Sequence, residues 1–210
     1  FQCIWAIFAL VRGLIAMMAK SFVVTGAHGY IGSHVCCELL ERGFNVVGID
    51  NDIRSNQSAK DKLSSYCSYT HFDFDLSLPF SLPAEFNNRQ ISVIHCAGFK
   101  NVIESTKHPS IYFQNNLQAT LNLISALEDV SLQDFIFSGT AAVYDPSGKP
   151  PFSESDYVSP DTPYGKSKLA AELAIESIVP VKFPKAKVWL LRYFNPVGCH
   201  PSGLIGEDPN

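Results

Sequence analysis

The chain has 210 residues, 46% of them apolar, enough to bury a core in one domain or in one domain and part of a second. Charged residues make up only 17% and the formal net charge is -4, so there is no basic footprint for nucleic acid; a soluble domain that handles a small molecule is the class left. The six cysteines, Cys3, Cys36, Cys37, Cys67, Cys96 and Cys199, show no CxxC and no Cys/His pairing at metal-ligand spacing, and they read as reduced thiols of a cytoplasmic protein.

Residues 1–19 form an apolar run with Arg12 as its only charge. A signal peptide carries its basic residues ahead of such a run, and an arginine near the middle of a membrane span costs about 2.5 to 3.5 kcal/mol. Lys20 then leads directly into a strand. The segment reads as an extension upstream of a start at Met17 or Met18, with a membrane anchor as the alternative.

From Ser21 strands and helices alternate. SFVVTG (21–26) predicts a strand, YIGSHVCCELLERG (30–43) a helix stopped by Gly43, and FNVVGID (44–50) a second strand. A third strand is expected at 69–75, a short helix near 83–90 and a buried strand at 91–98. A long amphipathic helix follows at 110–130, then a strand and its loop at 134–144, a helix opened by Pro163 and reaching about Ser177, and a last strand at 187–195. Such alternation predicts an α/β fold, a doubly wound parallel (Rossmann) sheet with crossover helices on both faces. The Pro- and Ser-rich stretch at 145–163 is expected to be a loop at the carboxyl ends of the strands, where open α/β sheets bind ligands.

TGAHGYIGSH (25–34) places Gly26, Gly29 and Gly32 between the first strand and its helix. Gly26 suits the tight turn, Gly29 the close approach of backbone to a pyrophosphate, and Gly32 the packing of helix on sheet. Asp50 ends the second strand, where a carboxylate accepts from the adenosine ribose hydroxyls and repels a 2′-phosphate; this favours NAD over NADP, with Arg54 nearby as the contrary feature. On the later helix Tyr164 and Lys168 stand four residues apart and share a face. An ammonium there, with the positive charge of an oxidised nicotinamide, would lower the phenol toward the range of a usable base. Thr140 is the candidate hydroxyl opposite, with Ser138 as competitor. The histidines form no cluster that spacing reveals.

TGAHGYIGSH, VIHCAGFKNVIES, FIFSGTAAVY, PYGKSKL and LLRYFNPVGCHPSG together resemble the extended short-chain dehydrogenase/reductase group, in particular its nucleotide-sugar epimerases, over residues 20–210. The resemblance implies an NAD-dependent 4-epimerisation of a UDP-sugar, UDP-glucose to UDP-galactose and back, through a transient 4-keto sugar. It implies Tyr164 as base, Lys168 as its partner on the nicotinamide ribose, and Thr140 as the hydroxyl at the substrate. Tyr30 and Ile31 match residues at the pyrophosphate, Asp50 and Asn51 the adenosine ribose site, and Asp75 and Leu76 a pair near the adenine. Cys96, Ala97, Gly98 and Lys100 match the stretch under the cofactor, Asn115 a helix asparagine beside it, and Tyr193 and Phe194 residues near the nicotinamide. Asn195 matches a contact to the nucleotide sugar.

Gly139 and Asp145 depart from the family's more frequent serine and glycine. Ala141 and Ala142 stand where sugar dehydratases need an Asp-Glu pair, which argues against loss of water. A different-sugar or decarboxylating enzyme, and a nucleotide-binding module without turnover, are the rival readings. The domain expectation is an extension at 1–19, an NAD-binding domain at 20–196, and at 197–210 the start of a truncated substrate-binding region; the chain alone is expected to bind NAD weakly and epimerise poorly. A homodimer is expected of the full-length protein.

Overall fold

The computed structural model describes residues 21–207, so the apolar segment 1–19 lies outside the described residues, as do the last three. Six parallel strands form one sheet in the order β3-β2-β1-β4-β5-β6: β1 Ser21–Thr25, β2 Asn45–Ile49, β3 Tyr69–Phe72, β4 Gln90–His95, β5 Ser131–Ser138 and β6 Lys187–Leu191. This is the doubly wound order expected of strand and helix in alternation.

The strands are apolar runs because helices cover both faces. Successive side chains of β1 go to opposite sides. Val23 joins the core that Leu123 and Ile175 seal, whereas Phe22 and Val24 join the one sealed by Val35, Leu39 and Leu63. Helix α1 (Tyr30–Glu41) and α2 (Gln57–Ser64) supply the latter three residues. The chain leaves β1 toward β2 and β3, then returns to β4 on the other side of β1. The loops after β1 and β4 therefore open a crevice at the switch point, at the carboxyl ends of the strands.

Helix α2 and helix α3 (Val102–Lys107) were not expected from the pattern. Each is short, and α2 buries only Ala59 and Leu63, so neither has a periodic stripe; Asn56 and Asn101 cap them with side-chain oxygens. The segment expected to be helical at 83–90 is a single 3₁₀ turn, Ala84–Phe86. The expected long helix at 110–130 is α4 (Pro109–Tyr112), a π-helical stretch (Phe113–Gln118) and α5 (Ala119–Ala126) in succession. Helix α6 (Pro163–Lys182) passes the expected end at Ser177, since Ile175 and Val179 continue its buried stripe and the exposed Pro180 sits in its last turn. The last strand stops at Leu191, and residues 192–195 run on as irregular chain.

Candidate active site

The glycine loop is as tight as its sequence implies. Gly26 has φ +66°, and a Cβ on it would lie 2.7 Å from the Ala97 backbone nitrogen, so only glycine lets the loops after β1 and β4 meet. A Cβ on Gly32 would lie 2.0 Å from the Gly26 oxygen. Gly29 is the N-cap of α1 and offers no side chain to it, which leaves the first-turn N–H groups of Tyr30, Ile31 and Gly32 uncapped at the positive end of a twelve-residue helix. That donor set suits a pyrophosphate. The Tyr30 hydroxyl donates to the Gly198 carbonyl at 2.8 Å, and Ile31 packs on the core beneath α1.

After β2, the Asp50 carboxylate accepts the His28 N–H through Oδ2 and the Asp52 N–H through Oδ1, both at 3.0 Å, which fixes it in place beside the glycine loop. Asn51 accepts the Ile53 N–H at 3.3 Å. His28 is fully buried, with Nδ1 2.6 Å from Asp52 Oδ1 and Nε2 2.8 Å from the Tyr69 hydroxyl. The histidines do cluster, contrary to expectation: His28 with Asp52 and His71, and His200 with Cys37 and Glu41. Each histidine meets partners from distant parts of the chain, Cys37 and Glu41 sharing α1 while His200 comes from the C-terminal segment, so spacing along the chain does not show the histidines joining them. Asp75 accepts the Ser77 N–H at 2.9 Å, while Leu76 is buried and its carbonyl accepts from Asn122 at 2.8 Å.

The loop after β4 is shaped by residues the sequence did not single out. Asn116 is buried; its Oδ1 accepts the Phe99 N–H at 2.7 Å, and its Nδ2 donates to the Phe99 carbonyl at 3.2 Å and to Ser167 Oγ at 2.9 Å. Asn115, the asparagine expected beside the cofactor, is partly buried and donates to the Ile111 carbonyl at 2.9 Å. Both lie in the π-helical stretch, where Asn116 is the buried one of the two. Thr25 Oγ1 accepts the Ala97 N–H and lies 2.6 Å from His95 Nδ1, and His95 Nε2 lies 2.9 Å from Thr120 Oγ1. Burial, with Lys168 nearby, pushes His95 down to about 3, so it serves this chain as a neutral ring. Burial pushes the Cys96 thiol up to about 12, leaving it uncharged. Gly98 has φ +151°, and a Cβ there would lie 2.8 Å from Asn116 Oδ1 and 3.9 Å from Lys168 Nζ, so this loop runs directly past the lysine. Lys100 is exposed and pairs with Glu207 at 2.6 Å.

Helix α6 brings the catalytic candidates to the same place. Thr162 caps it by accepting the Gly165 N–H, with Pro163 in its first turn. A Cβ on Gly165 would lie 2.5 Å from the Ala142 carbonyl, so glycine lets the helix press against the loop after β5. Tyr164 is thereby set against Thr140. Burial raises the phenol's pKa, and hydrogen bonding with the Thr140 hydroxyl opposes the rise. Ser138, the competitor, bonds instead with the Tyr193 hydroxyl. Lys168 is buried over the Phe137 ring, 4.1 Å from its centroid, and burial lowers its pKa to about 8. In the protein alone burial leaves the phenol raised; the expected lowering calls for the positive charge of an oxidised nicotinamide alongside Lys168. The Tyr193 carbonyl accepts the Ala141 N–H at 3.0 Å, while Phe194 and Asn195 are exposed.

Sheet order, glycine cradle and a Tyr-Lys helix at the carboxyl edge define a Rossmann-type α/β protein. The chain belongs to the NAD dependent epimerase/dehydratase family, whose model matches residues 22–207. Among curated proteins it is 41% identical over 191 residues to the UDP-glucose 4-epimerase of Yersinia pestis, covering 89% of this chain and 56% of that protein. It is 43% identical over 195 residues to a UDP-glucose 4-epimerase of Schizosaccharomyces pombe, covering 89% and 54%. Among solved structures, UDP-glucose 4-epimerase from Bifidobacterium longum in complex with NAD+ and UDP superposes with a TM-score of 0.76 at 35% identity, covering 90% of this chain and 57% of that one. The enzyme from Stenotrophomonas maltophila with bound NAD and formylated UDP-arabinopyranose gives 0.78 at 31%, covering 91% and 57%. The chain spans about half the length of the curated relatives it matches.

Proposed function

We propose that these residues carry the cofactor site and the proton-transfer group of an NAD-dependent UDP-sugar 4-epimerase that interconverts UDP-glucose and UDP-galactose. The observation that carries the reading is the meeting of Tyr164 and Thr140 beside buried Lys168, one loop away from the glycine cradle. The first turn of α1 would hold the pyrophosphate and Asp50 with Asn51 the adenosine ribose, with Asp75 and Leu76 toward the adenine. The 96–100 loop would lie under the cofactor, with Asn115 beside it and Tyr193 and Phe194 toward the nicotinamide. NAD, when bound, supplies reversible acceptance of hydride from the sugar.

Tyr164 takes the proton of the sugar 4-hydroxyl and returns it to the same oxygen at the end of the cycle. Thr140 orients that oxygen, and Asn195 contacts the nucleotide sugar. Lys168, cationic at neutral pH, binds the nicotinamide ribose and keeps a positive charge near the phenol. Because burial alone raises the Tyr164 pKa, the base form depends on positive charge gathered around it, which ties proton removal to cofactor occupancy. Tyr112, 6.4 Å from the Tyr164 ring, helps keep water from that pocket.

Residues 20–196 are proposed as the NAD-binding domain and 197–210 as the start of the substrate-binding region. Exposed Ile103, Ile111, Phe113 and Leu173 on neighbouring helices support a second copy of the protein as partner. Unpaired cysteines, two of them exposed, support a cytoplasmic location, and no helix among the described residues is long and apolar enough to cross a membrane. The test is interconversion of UDP-galactose and UDP-glucose by purified protein, with Tyr164→Phe as control; equal rates in the two would sink the catalytic assignment.

A further inference from the structure

Arg54 stands in the turn after β2, four residues beyond Asp50. A cation on this turn is the feature that accommodates a ribose 2′-phosphate in dinucleotide-binding folds. Here its guanidinium is paired elsewhere, although the side chain is 47% exposed. Nη1 donates to Glu104 Oε2 at 2.8 Å and Nη2 to Glu104 Oε1 at 2.6 Å, a two-pronged pair, and its plane lies 3.8 Å from the centroid of the Phe99 ring. Glu104 Oε2 also accepts the Tyr112 hydroxyl at 2.8 Å, and α3, which bears Glu104, is capped by Asn101. The other cation of the turn region, Lys60, is paired with Asp52. Both cations are therefore ion-paired.

We propose that Glu104 is a positioning residue for cofactor choice: by holding Arg54 against Phe99 it withholds the one flexible guanidinium that could meet a 2′-phosphate, so the ribose end takes NAD in preference to its 2′-phosphorylated form. This rests on the NAD-binding reading above. Asp50, Asp52, Asp73 and Glu104 set four negative charges against the two positive ones of Arg54 and Lys60, an excess that a phosphate would deepen. Neutralising Glu104 reduces the excess and frees the fork geometry that recognises phosphate.

The test titrates NAD and NADP separately into the 210-residue chain by calorimetry. Glu104→Gln keeps an acceptor for Tyr112 and sits at a partly exposed position, and Glu104→Ser provides a second way to free Arg54. Both should improve the NADP affinity relative to NAD by about tenfold, the size of one charge-assisted hydrogen bond. Adding Arg54→Ala to Glu104→Gln should return the ratio to wild type, and Glu104→Asp should stay close to wild type. A merely structural Glu104 would weaken both cofactors together and leave their ratio alone. NAD binding with a ratio unchanged in both freed variants overturns the proposal and spares the NAD reading; binding of neither cofactor by the wild type overturns both.

Discussion

Asn116 Nδ2 donates to Ser167 Oγ at 2.9 Å, and through this contact a single buried amide joins the loop after β4 to the helix that carries Tyr164. Ser167 in turn donates to the Tyr164 carbonyl at 2.8 Å. The loop after β4 and helix α6 are thus braced against each other by side chains outside the proposed catalytic set.

Removal of that brace should be costly. Asn116→Ala strands the Phe99 N–H and takes a donor from the Phe99 carbonyl and from Ser167 Oγ, and is expected to lower stability by about 2 to 4 kcal/mol in urea unfolding and to weaken NAD binding. Asn115→Ala loses only a bond to its own helix and should cost less than about 1 kcal/mol. Equal costs for the two would show that the buried amide is not the special one.

Tyr164→Phe deletes the proposed proton acceptor while keeping the ring against Tyr112. Epimerisation in the full-length protein should fall by roughly 10² to 10⁴ with little change in unfolding midpoint. Thr140→Val should lose less, on the order of tenfold, since one hydrogen bond is removed and the base remains. Initial rates with UDP-galactose, alongside thermal melts, separate loss of chemistry from loss of fold.

Two buried bases give stability a pH dependence of stated sign. His95 is pushed down to about 3 in the fold from an ordinary 6.5, so the unfolded chain binds the extra proton between those values. Stability is full above 6.5 and is lost as pH falls toward 3, at up to about 1.4 kcal/mol per unit for one proton. Lys168, lowered to about 8 from 10.5, is likewise the poorer proton binder in the fold, so stability should rise as pH climbs through that interval. Unfolding of His95→Gln and Lys168→Met across pH 4 to 10 checks both, each variant flattening its own window. A wild-type slope retained in the variant would refute the assignment.

Gly165→Ala should separate α6 from the loop after β5, because its new methyl would lie 2.5 Å from the Ala142 carbonyl. A loss of about 1 to 3 kcal/mol in stability is expected, together with a fall in activity as Tyr164 moves off Thr140. Gly43→Ala meets nothing within 4 Å and strains only its φ of +82°, so it should cost about 1 to 2 kcal/mol and leave activity alone. Activity and denaturant midpoints measured on both variants distinguish packing from backbone strain.

Much of the fold could be read along the chain because central parallel strands are short apolar runs and long helices carry a periodic stripe. Helices α2 and α3 escaped that reading because they bury too few side chains to leave one. Thr140 and Lys168 were legible from their places after a strand and on a helix face. Asn116, His95 and Gly165 were not: nothing in NNLQ, IHC or PYGK says which group will meet a partner from a distant part of the chain. The adjacent asparagines of the amphipathic 110–130 stretch were the one available signal, and the π-helical turn that holds them has no sequence signature.

The sequence by itself determined the alternation that makes a doubly wound sheet, the glycines that only a close backbone approach requires, and the residue types of the chemistry. The tertiary structure decided which of those groups meet and in what charge state. It buries Lys168 on Phe137, gives Tyr164 to Thr140 and Ser138 to Tyr193, and commits Arg54 to Glu104. The reason is physical: local propensity acts between neighbours in the chain, whereas desolvation and hydrogen bonding act between neighbours in space, and in this crevice those neighbours stand far apart in the chain, 70 residues for Thr25 and His95 and 168 for Tyr30 and Gly198.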